Sequence, residues 1–226
     1  MPTTGILSLK LGQDQIFTVW EGNKKDYARN FALLLDMNYS HILFADGKML
    51  GDPGIGLIYP FSSDPRKKRS LFEKNKITHA KMVCLSKGSY FPIPLHGNSI
   101  VRDGETNRPL RVFFAGTMAV AIDAWDTGSA FRFYRHFSPM SPADTMTVSE
   151  FSDKIGGLFV SLIAEVIRSC LEEKGYSAQK LSCMTPMDMM EVNEIFCRRI
   201  RELFANYGLT VLESPHVLTH FRVEQI

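Results

Sequence analysis

The chain has 226 residues, 45% hydrophobic and 22% charged, an ordinary globular composition that excludes the low-hydrophobicity, high-charge regime of disordered chains. Its 26 Lys and Arg against 24 Asp and Glu leave a formal charge of +2, without the one-sided basic excess of a polyanion binder, so no nucleic-acid partner is expected. Cys84, Cys170, Cys183 and Cys197 form no CxxC pair, which argues against a metal site and for free thiols in a reducing cytoplasm.

The opening MPTTGILSLKLGQDQ lacks a basic region followed by a continuous apolar stretch, and no window reaches the ~18 apolar residues of a spanning helix. Residues 5–20 alternate apolar and polar, which predicts one or two strands. NYSHILFADGK followed by GLIYPF predicts strand, glycine-rich turn, strand, with Leu57, Ile58, Tyr59 and Phe61 burying the second strand. Two more strand candidates follow: ITHAKMVCLSKGSYFPIPL, with a break at Lys87-Gly88, and PLRVFFAGTMAVAI, after the turn-like VRDGETNRP. The first 140 residues are thus mostly sheet, and SPMSPADT (138–145) reads as a joint.

Beyond that joint the period changes. Phe151, Ile155, Leu158, Phe159, Leu162, Val166 and Cys170 form an amphipathic helical stripe, preceded by Thr147 and Glu150 at capping-box spacing. A second helix is predicted from Thr185-Pro186, with Asp188 in its first turn, to a stop at Gly208. Leu209–Val211 and HVLTHFRVEQI return to strand, the last pairing onto the sheet or projecting as an edge. The fold class expected is α+β: a sheet-rich N-terminal lobe of mixed or antiparallel strands, then a helix-rich lobe with a final strand.

Candidate chemistry is sparse. The stretch GKMLGDPGIGLIYPF has the glycines of a phosphate cradle, but Gly54-Ile55-Gly56 opens a strand rather than a helix, so it reads as a turn. His216 and His220 have zinc-helix spacing, yet on a strand they would stand ~13 Å apart, too far to share a metal. Asp123 and Asp126 could form an acid pair, although Asp126 before Thr127-Gly128 reads more simply as a helix cap. No GxSxG or HExxH motif is present, and no catalytic, cofactor-binding or metal-binding residue is expected. The charge run Arg66, Lys67, Lys68 and Arg69 is the candidate contact for anionic lipid or an acidic partner. Phe221 and Val223 mark the candidate self-association edge.

Three segments carry a resemblance to a family. Asp46-Gly47-Lys48, Pro53-Gly54-Ile55-Gly56 and Pro60-Phe61 follow one another in a strand–turn–strand order. Gly116 to Asp123 has the form Gly-x4-5-Ile-x-Asp ahead of an aromatic-rich helix. Tyr207-Gly208-Leu209-Thr210-Val211 follows the last helix. In this order the chain resembles the SPFH or Band 7 domain of stomatin, prohibitin and flotillin proteins. The resemblance covers residues 39–226, with a sheet-rich lobe at 39–137 and a helix-rich lobe at 147–226, and residues 1–38 form a strand-rich lead-in that matches less clearly.

The resemblance implies a non-enzymatic scaffold without cofactor, forming homo-oligomers or holding a protein partner such as a membrane protease complex. Family members commonly add a membrane hairpin or acylated segment before the domain and a long coiled coil after it. Neither is seen here, so a truncated product or a solitary soluble domain, cytoplasmic and peripheral to the membrane, is expected. The competing expectation is a small-molecule-binding protein or an enzyme of unrecognised type with a pocket between the lobes.

Overall fold

The computed structural model describes residues 5–28, 30–68, 77–88, 90–140, 144–214 and 216–225. In chain order the early strands are β1 (Ile6–Leu9), β2 (Gln15–Asn23), β3 (Ala32–Leu35), β4 (Tyr39–Ala45), β5 (Lys48–Gly51), β6 (Gly56–Ile58) and β7 (His79–Ser86). The long strands β8 (Phe91–Arg102) and β9 (Pro109–Ile122) follow, then helix α1 (Thr127–Phe137) and β10 (Thr145–Thr147). The chain ends with α2 (Val148–Lys174), α3 (Ala178–Ser182), α4 (Pro186–Ala205), β11 (Leu209–Val211) and β12 (Leu218–Gln225). The protein is α+β, with twelve strands in three sheets and four helices among the described residues. It divides into two compact units, residues 1–89 with 122–148 and residues 90–121 with 149–226.

The first unit holds a five-stranded antiparallel sheet, order β10-β2-β7-β4-β5, and a three-stranded sheet, order β1-β3-β6, in which β1 runs parallel to β3. Alternation along β4 and β7 sends Leu43, Ala45, Ala80, Met82 and Cys84 into one buried cluster with Leu9, Leu33, Leu35 and Ile58 of the small sheet. Trp20 stacks on Phe31 at 5.7 Å between ring centroids and meets Tyr27 and Phe61 edge-on. The opposite face of the five-stranded sheet carries Phe17 and Phe44 against α1, where Phe131, Phe133 and Tyr134 meet them at 6.0 to 6.3 Å. Asp126 caps α1 by accepting from the Ser129 amide at 2.7 Å, and that bond holds its carboxyl below the usual range. The β4–β5 hairpin turns through Asp46-Gly47, both at positive φ (46° and 79°), the geometry of a two-residue type I′ turn.

The second unit is a four-stranded sheet under helices, in which β8 and β12 run antiparallel to β9. β9 pairs along its full length with β8 on one side, and its other side is shared by β11 and β12. Pro92 and Pro94 fit β8 because it is an edge strand among the described residues, where two missing amides break no ladder. Phe91, Ile93, Leu95 and Val101 point inward from β8, as Val112, Phe114, Met118 and Val120 do from β9. Onto this face α2 lays Phe151, Ile155, Phe159, Ile163, Ile167 and Cys170, so Phe91 meets Phe151 edge-on at 5.8 Å. The buried stripe is rotated from the expected one: Ile163 and Ile167 are inside, whereas Leu158 is exposed and Leu162 and Val166 are half-buried. This helix carries more apolar residues than one face can bury, so periodicity alone does not choose the face.

Thr185 and Asp188 close a reciprocal capping box at the start of α4, with Pro186 in the first turn. After the helix, Gly208 takes φ +71° ahead of β11. Glycine is required at Gly116 for a different reason, since a Cβ there would stand 1.8 Å from the Val217 carbonyl oxygen where β12 meets β9.

Candidate functional site

The two most exposed large apolar side chains among the described residues are Trp125 at 75% and Met37 at 68%, and both belong to the first unit. Strand register brings them to one end of it. Leu35 is opposite Gly56 and Tyr39 is opposite Ser86, so the β3–β4 turn with Met37, the run into β6 with Ile55, and the run out of β7 with Lys87 gather at that end. Ile55 is 66% exposed between Gly54 and Gly56. Trp125 is held by Lys87, whose Nζ lies 4.0 Å from the ring centroid.

The basic run folds onto the same end. The Tyr59 amide donates to the Pro65 carbonyl at 2.7 Å, and the Arg66 Nε donates to the Pro53 carbonyl at 3.4 Å. Gly54, at φ +88°, permits this approach, because a Cβ there would come within 2.9 Å of the Arg66 guanidinium. Lys67 pairs with Asp64 at 3.2 Å, and Lys68 is exposed. Arg69 lies outside the described residues.

Anionic groups share these turns. The Asn38 amide donates to Asp36, the Gly54 amide to Asp52 and the Arg66 amide to Asp64, at 2.8 to 3.1 Å. Four cations, Arg66, Lys67, Lys68 and Lys87, therefore face three turn carboxylates, so the local excess of positive charge is small. The apolar trio of Trp125, Met37 and Ile55 is the larger feature.

Directly inside this end is His41. It is 2% exposed, stands opposite Cys84 across the β4–β7 ladder, and its Nε2 has no hydrogen-bond partner among the described residues. Burial pushes its pKa down to about 4, against Asp52 and Asp36, which raise it, while Lys87 lowers it. Cys84 beside it is pushed up to about 12, mainly by burial, and stays a thiol.

No protein-family model matches the chain, and no curated protein sequence matches it.

The remaining candidates are distributed elsewhere. The glycine-rich stretch contains β5 and β6 and no helix, so its amides face no helix N-terminus. Within it Ile58 and Phe61 are buried, but Leu57 is exposed, because a strand buries alternate residues and Leu57 points to the other face. His220 lies on β12 and His216 precedes it, both exposed. Phe221 and Val223 are half-buried, opposite Phe114 and Val112, with their side chains on the inner face of the sheet. What β12 offers at its edge is therefore backbone. Even there the first residue is closed, since the buried Asn193 of α4 donates to the Leu218 carbonyl at 3.0 Å and accepts from the Leu218 amide at 2.6 Å.

Among the described residues no helix is long and apolar enough to cross a membrane, and no group of three or more His, Cys, Asp or Glu could hold a metal ion. The basic run was legible in the sequence as a charge cluster. Trp125, Met37 and Ile55 were not, because isolated apolar residues carry no signal until the fold shows that they converge unburied.

Proposed function

We propose that this chain is a non-enzymatic interaction domain of the SPFH type that docks peripherally on an anionic membrane surface on the cytoplasmic side and self-associates. The observation that carries the docking is the exposed trio Trp125, Met37 and Ile55 at the end of the first unit that also bears Arg66, Lys67, Lys68 and Lys87. Magnitudes rank the two contributions. Withdrawing each apolar side chain from water is worth ~1.5–3 kcal/mol on full insertion. Each cation near an anionic surface adds about 1 kcal/mol, offset here by Asp36, Asp52 and Asp64. Docking is then apolar first and electrostatic second.

The family reading rests on the order and spacing of three segments: the turn at Asp46 to Phe61, the Gly116 to Asp123 strand ahead of α1, and the Tyr207 to Val211 exit from α4. Self-association is supported by β12, a sheet edge with no strand on its outer side among the described residues.

Co-sedimentation with vesicles tests the docking. The protein should pellet with phosphatidylserine-containing vesicles and, to a lesser extent, with phosphatidylcholine ones. Trp125→Ala combined with Met37→Ser should abolish pelleting, whereas raising the salt should reduce it only in part. Complete loss in salt with no effect of the double variant would make the contact purely electrostatic and overturn the ranking; no pelleting in any condition would overturn the docking.

A further inference from the structure

A separate feature of the second unit points away from membranes. Between the exposed face of α4 and the segment after β11 lies a cleft of about 320 Å³. Met187, Met190 and Glu194 succeed each other at helical spacing along its wall, and the floor is the buried Cys197, whose Sγ donates to the Ser214 carbonyl at 3.9 Å. Both methionines are exposed, an unusual expense of apolar surface, and their flexible thioethers adapt to varied apolar partners.

Charge selects among occupants. The lining carries three carboxylates, Glu191, Glu194 and Glu213, and no cation. Lys174 and Arg201 pair with Glu191 and Glu213, each at 2.6 Å, from outside the lining, and Glu194 has no ion pair among the described residues. At the nearby N-terminus of α4 the capping box of Thr185 and Asp188 takes up both of their amides. Anionic lipid and acidic peptides are thus disfavoured here. A cleft of this volume, at the small end of ligand sites, holds one or two apolar side chains rather than a large ligand.

We infer that this cleft docks a short cationic amphipathic segment of a protein partner, which places one or two apolar side chains between Met187 and Met190 and a Lys or Arg against Glu194. This goes beyond membrane docking, uses the other unit, and stands or falls separately from it. The contact would let the domain hold a protein while the first unit engages lipid.

The test is fluorescence anisotropy with a labelled amphipathic helical peptide of Leu and Lys, and with its Leu and Glu counterpart, added to the full chain. Expected is binding of the Lys peptide alone, weakened about tenfold by Met190→Ala and by Glu194→Lys, restored by Met190→Leu, and unaffected by Asp153→Lys on α2. Residues 153, 190 and 194 are all exposed, so the variants should keep the wild-type circular dichroism. Equal binding of the Glu peptide, equal weakening by Asp153→Lys, or no binding at roughly millimolar protein would overturn the proposal. A dimer broken by Met190→Asp would show the occupant to be a second copy, and would overturn it as well.

Discussion

The fold changes the chemistry of His41 in a way that stability can report. A neutral imidazole buried opposite Cys84, with Nε2 unpartnered among the described residues, resists protonation, so its folded pKa of about 4 lies below the ordinary 6.5. Between those values the unfolded chain takes up a proton that the folded chain refuses, so stability falls as pH drops from 6.5 to 4, by about 3 kcal/mol in total. Asp103 and Asp188, lowered to about 2 chiefly by hydrogen bonds from the Thr106 amide and from Lys180, lose their contributions only below the ordinary carboxylate value of 3.8, outside this window. Urea unfolding of wild type and His41→Leu at pH 7 and pH 4.5 checks this. The wild type should lose most of that stability and the variant should be nearly flat; parallel losses would show that other groups carry the pH dependence.

At the scale of elements, β12 is both a strength and an exposure. Asn193 binds the outward amide and carbonyl of Leu218 as a strand neighbour would, which fixes where β12 leaves α4 and closes the first pair of its free edge. Replacing Asn193 by Leu strands both groups in a buried site and should cost about 2–3 kcal/mol, read as a lowered urea midpoint with an unchanged slope. From His220 onward the outward backbone has no strand partner among the described residues, so light scattering across a concentration series should show self-association. A chain that stays monomeric throughout would count against β12 as an oligomer edge. These elements were unevenly legible in the sequence. The ends of α4 were readable from Thr185-Pro186, Asp188 and Gly208, because caps are local chemistry. The buried face of α2 was not, since the choice between Leu158 and Ile163 depends on which strands lie beneath it. Nor was Asn193, a polar residue within an apolar stripe whose role needs a strand 25 residues away. In β3, ALLL has no alternation to reveal that Leu33 faces inward and Leu34 outward.

At the scale of the molecule, strands read in chain order do not show which of them share a sheet. The long β8–β9 hairpin belongs to the unit that contains most of α2 and all of α3 and α4, while α1 and β10, later in sequence, belong to the unit of the early strands. The same interleaving explains why the docking end was only partly legible: Met37, Ile55, Lys87 and Trp125 come from four separate connections and converge only through sheet register and a single cation–π contact. Membrane docking through this end is the central claim, and the two tryptophans allow a direct reading of it. Trp20 is buried at 8% exposure in the aromatic cluster and will not respond to lipid, whereas Trp125 at 75% reports on the docking end. The decisive measurement is tryptophan emission during titration with phosphatidylserine-containing vesicles carrying brominated acyl chains. Membrane docking requires a blue shift and quenching that Trp125→Phe removes and Trp20 does not reproduce. An emission spectrum unchanged at lipid concentrations where the protein pellets with vesicles would contradict docking through Trp125.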